Sequence, residues 1–268
     1  MKKNGLLVVL AIAILGVFVL AGCGQSAAPA EEPSDNKTLV MGIDDSFPPM
    51  GFRDENNEIV GFDIDLAKEV AKRLDMELKV QVINWDTKEL ELDNGKIDCI
   101  WNGLTITPER EEAMEFSKPY LENDQIIMVQ NNSSIATKAD LEGKKVGLQK
   151  GSSAFDALSA DPIAQKIADG KPVEFDENVS AFQDLASGRI DAVVVDKVVA
   201  GYYISSEKAD FTILEESLSP ELYGIAFKKG NIELRDAVQK AIDEMVADGT
   251  AGKIATQWFS SDIFYKGE

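Results

Sequence analysis

The chain opens with one long apolar run, residues 6–20, behind Lys2 and Lys3. Fifteen residues fall short of the about 20 that an α-helix needs to span a bilayer. From Thr38 onward the pattern breaks into short segments of alternating period. Residues 38–43 predict a strand, and residues 44–52 (DDSFPPMGF) a loop with Pro48 and Pro49 as breakers. Ile64, Leu66, Ala67, Val70, Ala71 and Leu74 recur at helical spacing. Asp63 stands where an N-cap would be. A strand at 78–83, a short helix at 86–93 stopped by Gly95, and a buried strand at 97–101 follow. Strands and helices keep alternating up to two closing helices, 232–248 and 250–259. This alternation predicts an α/β fold of mainly parallel sheets covered by helices. Residues 91–100 (ELDNGKIDCI) and 184–193 (DLASGRIDAV) share one plan: a helix end, a glycine and a buried strand. The echo points to two similarly built lobes, and a cleft between lobes is where small ligands bind.

The leader changes where this fold must work. A basic start, an apolar run and small residues before Cys23 have the layout of an export signal. The run LAGC resembles the lipobox of bacterial lipoproteins, which implies removal of residues 1–22 and a diacyl thioether on Cys23. Residues 24–37 are small, polar and proline-containing, a tether without periodicity. The protein is therefore expected at the cell membrane, lipid-anchored on the extracytoplasmic face. Its formal charge is −20, and loss of Lys2 and Lys3 makes it more negative by two. Such a chain is a poor partner for nucleic acid, whose binding rests on Lys and Arg at phosphates. Cys99 is the only cysteine besides Cys23 and reads as a small core residue. There is no histidine, so zinc sites and Ser-His or Cys-His chemistry are not expected. No metal, no cofactor and no catalytic residue is predicted.

Three places could hold charge on a ligand. In WNGLTITPER, a strand ends near Trp101 and Gly103 permits close backbone approach. Thr107 reads as N-cap and Pro108 as the first helical residue. Arg110 falls in that first turn, where a cation opposes the helix dipole. Beside free N–H groups its planar fork suits a carboxylate. An ordinary surface pair with Glu111 or Glu112 is the alternative. A second anion site is expected at Ser152 and Ser153, where a strand turns into a helix. Asp196 closes the apolar run 192–195, at the strand end where open α/β sheets bind ligands. It could take an ammonium or merely cap the next helix. Together the three describe a site for an α-amino acid.

The chain resembles the family 3 extracellular solute-binding proteins of amino-acid ABC transporters. The resemblance rests on FPPMGFRDENNEIVGFDIDLAKEVAKRL, GKIDCIWNGLTITPEREEAMEFSKPY, LEGKKVGLQKGSS, GRIDAVVVD and YGIAFKKGN, in that order. It implies a two-lobe periplasmic-binding-protein-like fold of type II with hinge strands near 126–130 and 222–227. Lobe 1 would comprise residues 38–127 with 225–268, and lobe 2 residues 128–224. By matched motif, Arg110, Thr105, Ser153 and Ser152 would hold the ligand carboxylate. Asp196, Gly103 and the Thr105 hydroxyl would hold its ammonium. Phe47 would cover the ligand and Asp44 face its side chain. Trp85, Glu89, Trp101 and Asn102 are further residues that could reach that side chain, favouring a polar or cationic one; the alternative is that the tryptophans are core residues and the acids only add surface charge. The implied partners are a free L-amino acid and an ABC permease, with the protein acting as a monomer. An enzyme resembling cyclohexadienyl dehydratases, with Glu89 or Glu109 as its acid, is one alternative. A ligand-binding partner of a sensor is another.

Overall fold

The computed structural model describes residues 37–265 and residue 267. The expected leader, Cys23 and the tether up to residue 36 lie outside the described residues. The chain runs β1 (Thr38–Ile43), β2 (Ser46–Phe47), β3 (Gly51–Arg53), β4 (Ile59–Val60), α1 (Phe62–Arg73), β5 (Glu77–Val82), α2 (Lys88–Asp93), β6 (Cys99–Thr105), α3 (Pro108–Ala113) and β7 (Met114–Phe116). It continues through β8 (Leu121–Gln130), β9 (Val146–Gln149), α4 (Ser153–Ala160), β10 (Val173–Phe175), α5 (Asn178–Ala186), β11 (Ala192–Asp196), α6 (Lys197–Ser205), β12 (Phe211–Lys228), α7 (Ile232–Ala247) and α8 (Thr250–Phe259).

The α/β fold expected from the alternation is the one observed. The main sheet has the order β10-β9-β11-β8-β12-β6-β1-β5, with β7 also paired to β12. Strands β9, β10 and β11 are mutually parallel, as are β1, β5 and β6. Between these triplets, β8 and β12 run antiparallel to each other and to their outer neighbours. The predicted lobe boundaries, 127/128 and 224/225, fall inside these two long strands. Period-two alternation sorts the core. In β11, Val193 and Val195 join a cluster that also holds Leu39, Met41 and Ile43 of β1. Ala192 and Val194 face a separate cluster with Leu148 and Ile127. Both faces of such a strand are apolar because helices cover both.

Three local expectations change. Residues 44–52 are not loop throughout, because β2 and β3 pair there and join β4 in a small second sheet. The strand expected to end near Trp101 continues to Thr105 and is buried along its whole length. Asp63 does not cap α1. Gly61 occupies that position, and Asp63 is fully buried within the first turn.

Gly61 explains how α1 meets the loop that carries Phe47. Its φ is +145°, and a Cβ there would lie 2.2 Å from the Met50 carbonyl oxygen. The first helical N–H groups, of Phe62 and Asp63, donate to the Pro49 and Met50 carbonyls at 2.8 and 2.9 Å. Gly61→Ala is expected to destabilise the protein by about 1–3 kcal/mol. Its urea midpoint measures this, and an unchanged midpoint would show that the contact relaxes freely.

Candidate functional site

Phe47, Trp85, Gly103, Thr105, Arg110, Gln149, Ser152, Ser153 and Asp196 line one cavity. They arrive from both parallel triplets of the sheet. Thr107 accepts the Arg110 backbone N–H at 3.2 Å, as an N-cap should. The guanidinium donates to the carbonyls of Thr105 at 2.9 Å and Gly151 at 3.1 Å. Neither partner neutralises its charge. Burial pulls the guanidinium below its ordinary pKa, opposed by the surrounding charges of Glu89, Asp156, Glu221 and Asp196. Ser152 takes the N-cap position of α4, but its hydroxyl donates to the Gln149 carbonyl at 2.7 Å. The first N–H groups of α4 therefore have no side-chain cap, an arrangement that favours an anion.

Asp196 lines the same cavity. It occupies the N-cap position of α6 without capping it. Its Oδ1 instead accepts from the Tyr223 hydroxyl at 2.5 Å and from Asn123 Nδ2 at 2.8 Å. Burial, then the nearby Glu221 charge, push its pKa up to about 7. Gly103 has φ +60°, and a Cβ there would meet the rings of Phe47 at 2.7 Å and Tyr223 at 3.0 Å. Only glycine fits between those rings. Its N–H donates to Asp63 Oδ2 at 2.8 Å, which also accepts from the Tyr120 hydroxyl at 2.9 Å. The buried carboxyl of Asp63 is thus spent on holding the strand that carries Gly103. Burial raises its pKa to about 7 as well.

The structure does not bring every expected side-chain residue to this cavity. Trp101 and Asn102 are fully buried in β6. Trp101 packs edge-on against Tyr120, and Asn102 Oδ1 accepts the Asp44 backbone N–H at 2.9 Å. Glu89 is paired with Lys88 at 3.0 Å and is 40% exposed. Asp44 sits just behind the cavity wall, where Gln149 Nε2 donates to its Oδ2 at 2.6 Å. Gln149 lines the cavity itself, and its Oε1 accepts from Asn178. Lys88 was also not anticipated. It is 2% exposed, reaches the Gly151 carbonyl at 2.8 Å and lies 5.1 Å above the Trp85 ring. Burial, then Arg110, lower its pKa to about 8. Nothing in its place among polar neighbours on a short helix signals this. Asn123, Gln125 and Glu221 on β8 and β12 are further polar residues that the sequence reading missed.

With this geometry in view, the comparisons with known proteins agree. The profile of the bacterial extracellular solute-binding proteins, family 3, matches residues 39–261. An L-cystine-binding protein of Escherichia coli (strain K12), TcyJ, is 32% identical over 257 residues, 93% of this chain and 94% of its own. A Streptococcus pneumoniae ABC uptake transporter substrate-binding protein, solved with bound histidine, superposes with a TM-score of 0.83. It is 33% identical and covers 85% of this chain and 95% of its own. An ancestral arginine-binding protein, solved with glutamine and with arginine, is 44% identical with TM-scores of 0.78 and 0.77. In each case 84% of this chain and 99% of the other are covered. The chain belongs to the family 3 extracellular solute-binding proteins, and its fold is that of the type II periplasmic binding proteins.

The raised pKa of Asp196 has a stability consequence. A carboxyl whose folded value lies above its unfolded value of about 3.9 holds its proton in the folded state through that window. Its contribution is fully present at low pH and is lost as pH rises toward about 7. Asp63 adds a decline of the same sign. Asp196→Asn is therefore expected to raise the urea midpoint more at pH 8 than at pH 5. An equal change at both pH values would mean that Asp196 is not held protonated.

Proposed function

We propose that the protein captures a free L-amino acid, with a polar or cationic side chain favoured, and delivers it to an ABC permease. One observation carries this reading. Among the described residues the Arg110 guanidinium has only carbonyls as hydrogen-bond acceptors, and Arg110 shares a cavity with the buried acid Asp196. A buried guanidinium and a buried acid, which an arriving ammonium draws into its charged form, face one small space and match the two charges of an α-amino acid. Arg110, the Thr105 N–H and the uncapped N–H of Ser153, next to Ser152, take the carboxylate. Asp196, the Gly103 carbonyl and the Thr105 hydroxyl take the ammonium. Phe47 and Trp85 cover the ligand, and the Asp44–Gln149 pair meets its side chain. The cystine, histidine, arginine and glutamine bound by the relatives above support a polar or cationic preference.

Capture works by closure of two lobes, residues 38–127 with 225–268 and residues 128–224, about β8 and β12. The Gly151 carbonyl, meeting both Arg110 and Lys88, is the contact by which the second lobe completes the site. Excluding water there strengthens each ion pair with the ligand. Cys23, lipidated after removal of residues 1–22, holds the protein as a monomer on the extracytoplasmic face of the membrane. Residues 24–37 let it reach the permease.

Thermal unfolding of residues 24–268 against the twenty amino acids, ornithine, citrulline and cystine tests the reading. Ligand at 100 times its dissociation constant adds about 2.7 kcal/mol, roughly 5–10 °C for a chain of this size. Arg110→Ala should weaken every amino acid that binds by about 100-fold or more, not one class of them. Retained affinity in calorimetry would remove Arg110 from the carboxylate site. No shift with any amino acid, after bound ligand is stripped by unfolding and refolding, would sink the function itself.

A further inference from the structure

The buried hydroxyls beside the cavity have a direction, and one residue outside the proposed ligand contacts sets it. Glu221 lies on β12 directly across from Asn123 on β8. Its Oε2 accepts from Thr105 Oγ1 at 2.9 Å, Gln125 Nε2 at 3.1 Å and Asn123 Nδ2 at 3.2 Å. A carboxylate only accepts, and a threonine hydroxyl has one hydrogen and two lone pairs. The Thr105 hydrogen is therefore committed to Glu221. Thr105 Oγ1 also lies 3.1 Å from Ser153 Oγ, so in that contact Ser153 is the donor. Ser153 Oγ in turn accepts from Gln125 Nε2 at 3.2 Å. Every hydrogen along Gln125, Ser153 and Thr105 points toward Glu221. The orientation leaves Gln125 Oε1 buried without a partner among the described residues. The opposite amide orientation would instead set that oxygen against the Glu221 carboxylate.

Ser153 occupies one lone pair of the Thr105 oxygen. The second remains at a residue that shares the cavity with Gly103 and Asp196. We propose that Glu221 is a positioning residue for ligand recognition: it turns the Thr105 hydroxyl into an obligate acceptor, so that this end of the site takes an ammonium group. The proposal rests on the amino-acid reading above. Asn123 Nδ2 reinforces it by bridging Glu221 and Asp196 Oδ1. Without the carboxylate, the Thr105 hydrogen is free to turn into the cavity, where it meets an ammonium donor head on.

The test measures dissociation constants by calorimetry for L-arginine, L-histidine and L-glutamine, each beside its α-hydroxy acid analogue. The proteins are wild type, Glu221→Met, Thr105→Val and the double variant. Glu221→Met, which removes the acceptor at similar length, is expected to weaken the amino acids that bind by about tenfold or more and to narrow their advantage over the hydroxy acids. In the Thr105→Val background, the same change should cost no more than about twofold, because the two residues act as one unit. Glu221→Gln and Glu221→Asp, both still acceptors, should keep the amino-over-hydroxy ratio near that of wild type, and they serve if the methionine variant is unstable. Equal weakening of amino and hydroxy acids, or an undiminished effect in the Thr105→Val background, overturns the positioning role while leaving the amino-acid reading intact. A wild-type protein that binds none of the amino acids in the thermal panel removes that reading, and this proposal with it.

Discussion

The pairing of β8 with β12 is the constraint on which the site depends. Their register sets Leu121 against Tyr223 and Asn123 against Glu221. Residues opposite each other on antiparallel strands share a face. Leu121, Asn123 and Gln125 are buried, and Glu122 and Asp124 between them face outward. A slip of one residue would exchange the amides for two carboxylates and dismantle the polar cluster around Asp196. The pairing also loses register between Ile213 and Ser219, where the sheet passes from one parallel triplet to the other. Irregularities of this kind bend and twist a strand. The same two strands therefore place the polar site and form the bend between the triplets.

Charge is handled unusually around that pairing. Arg110, Lys88, Asp63 and Asp196 are all buried, and burying ions costs stability unless they are well compensated. The two cations share the Gly151 carbonyl, and no direct salt bridge joins Arg110 to an acid among the described residues. Asp196 is met by an amide and a hydroxyl, neither of which carries charge. A core built only for stability would pair these opposite charges or replace them by apolar groups. Arg110 and Asp196, which line one cavity without pairing with each other, leave a field that a zwitterion can complete. Asp63 has a different part. Its hydrogen bonds end on Gly103 and Tyr120, which fixes backbone beside the cavity.

Local periodicity and capping fix the elements that the chain announces ahead of any tertiary contact. β1 spans the predicted residues 38–43, α8 spans residues 250–259, and Thr107 and Pro108 open α3 as their chemistry requires. Glycines, caps and apolar spacing act within a few residues, so they are legible along the chain. The same signals brought Arg110, Ser152, Ser153 and Asp196 forward, because each sits where a strand gives way to a helix. Tertiary structure alone decided the rest. Asp63 resembles an N-cap in sequence, but close approach of Gly61 to Met50 shifts the helix start and sends the acid inward to Gly103. Trp101 and Asn102 resemble ligand contacts, but β6 continues past them, and a strand covered on both faces buries them. Lys88, Gln149 and Glu221 acquire their roles from partners 63, 105 and 116 residues away. Such contacts follow strand register and the meeting of the sheet's two halves, and no local pattern encodes them.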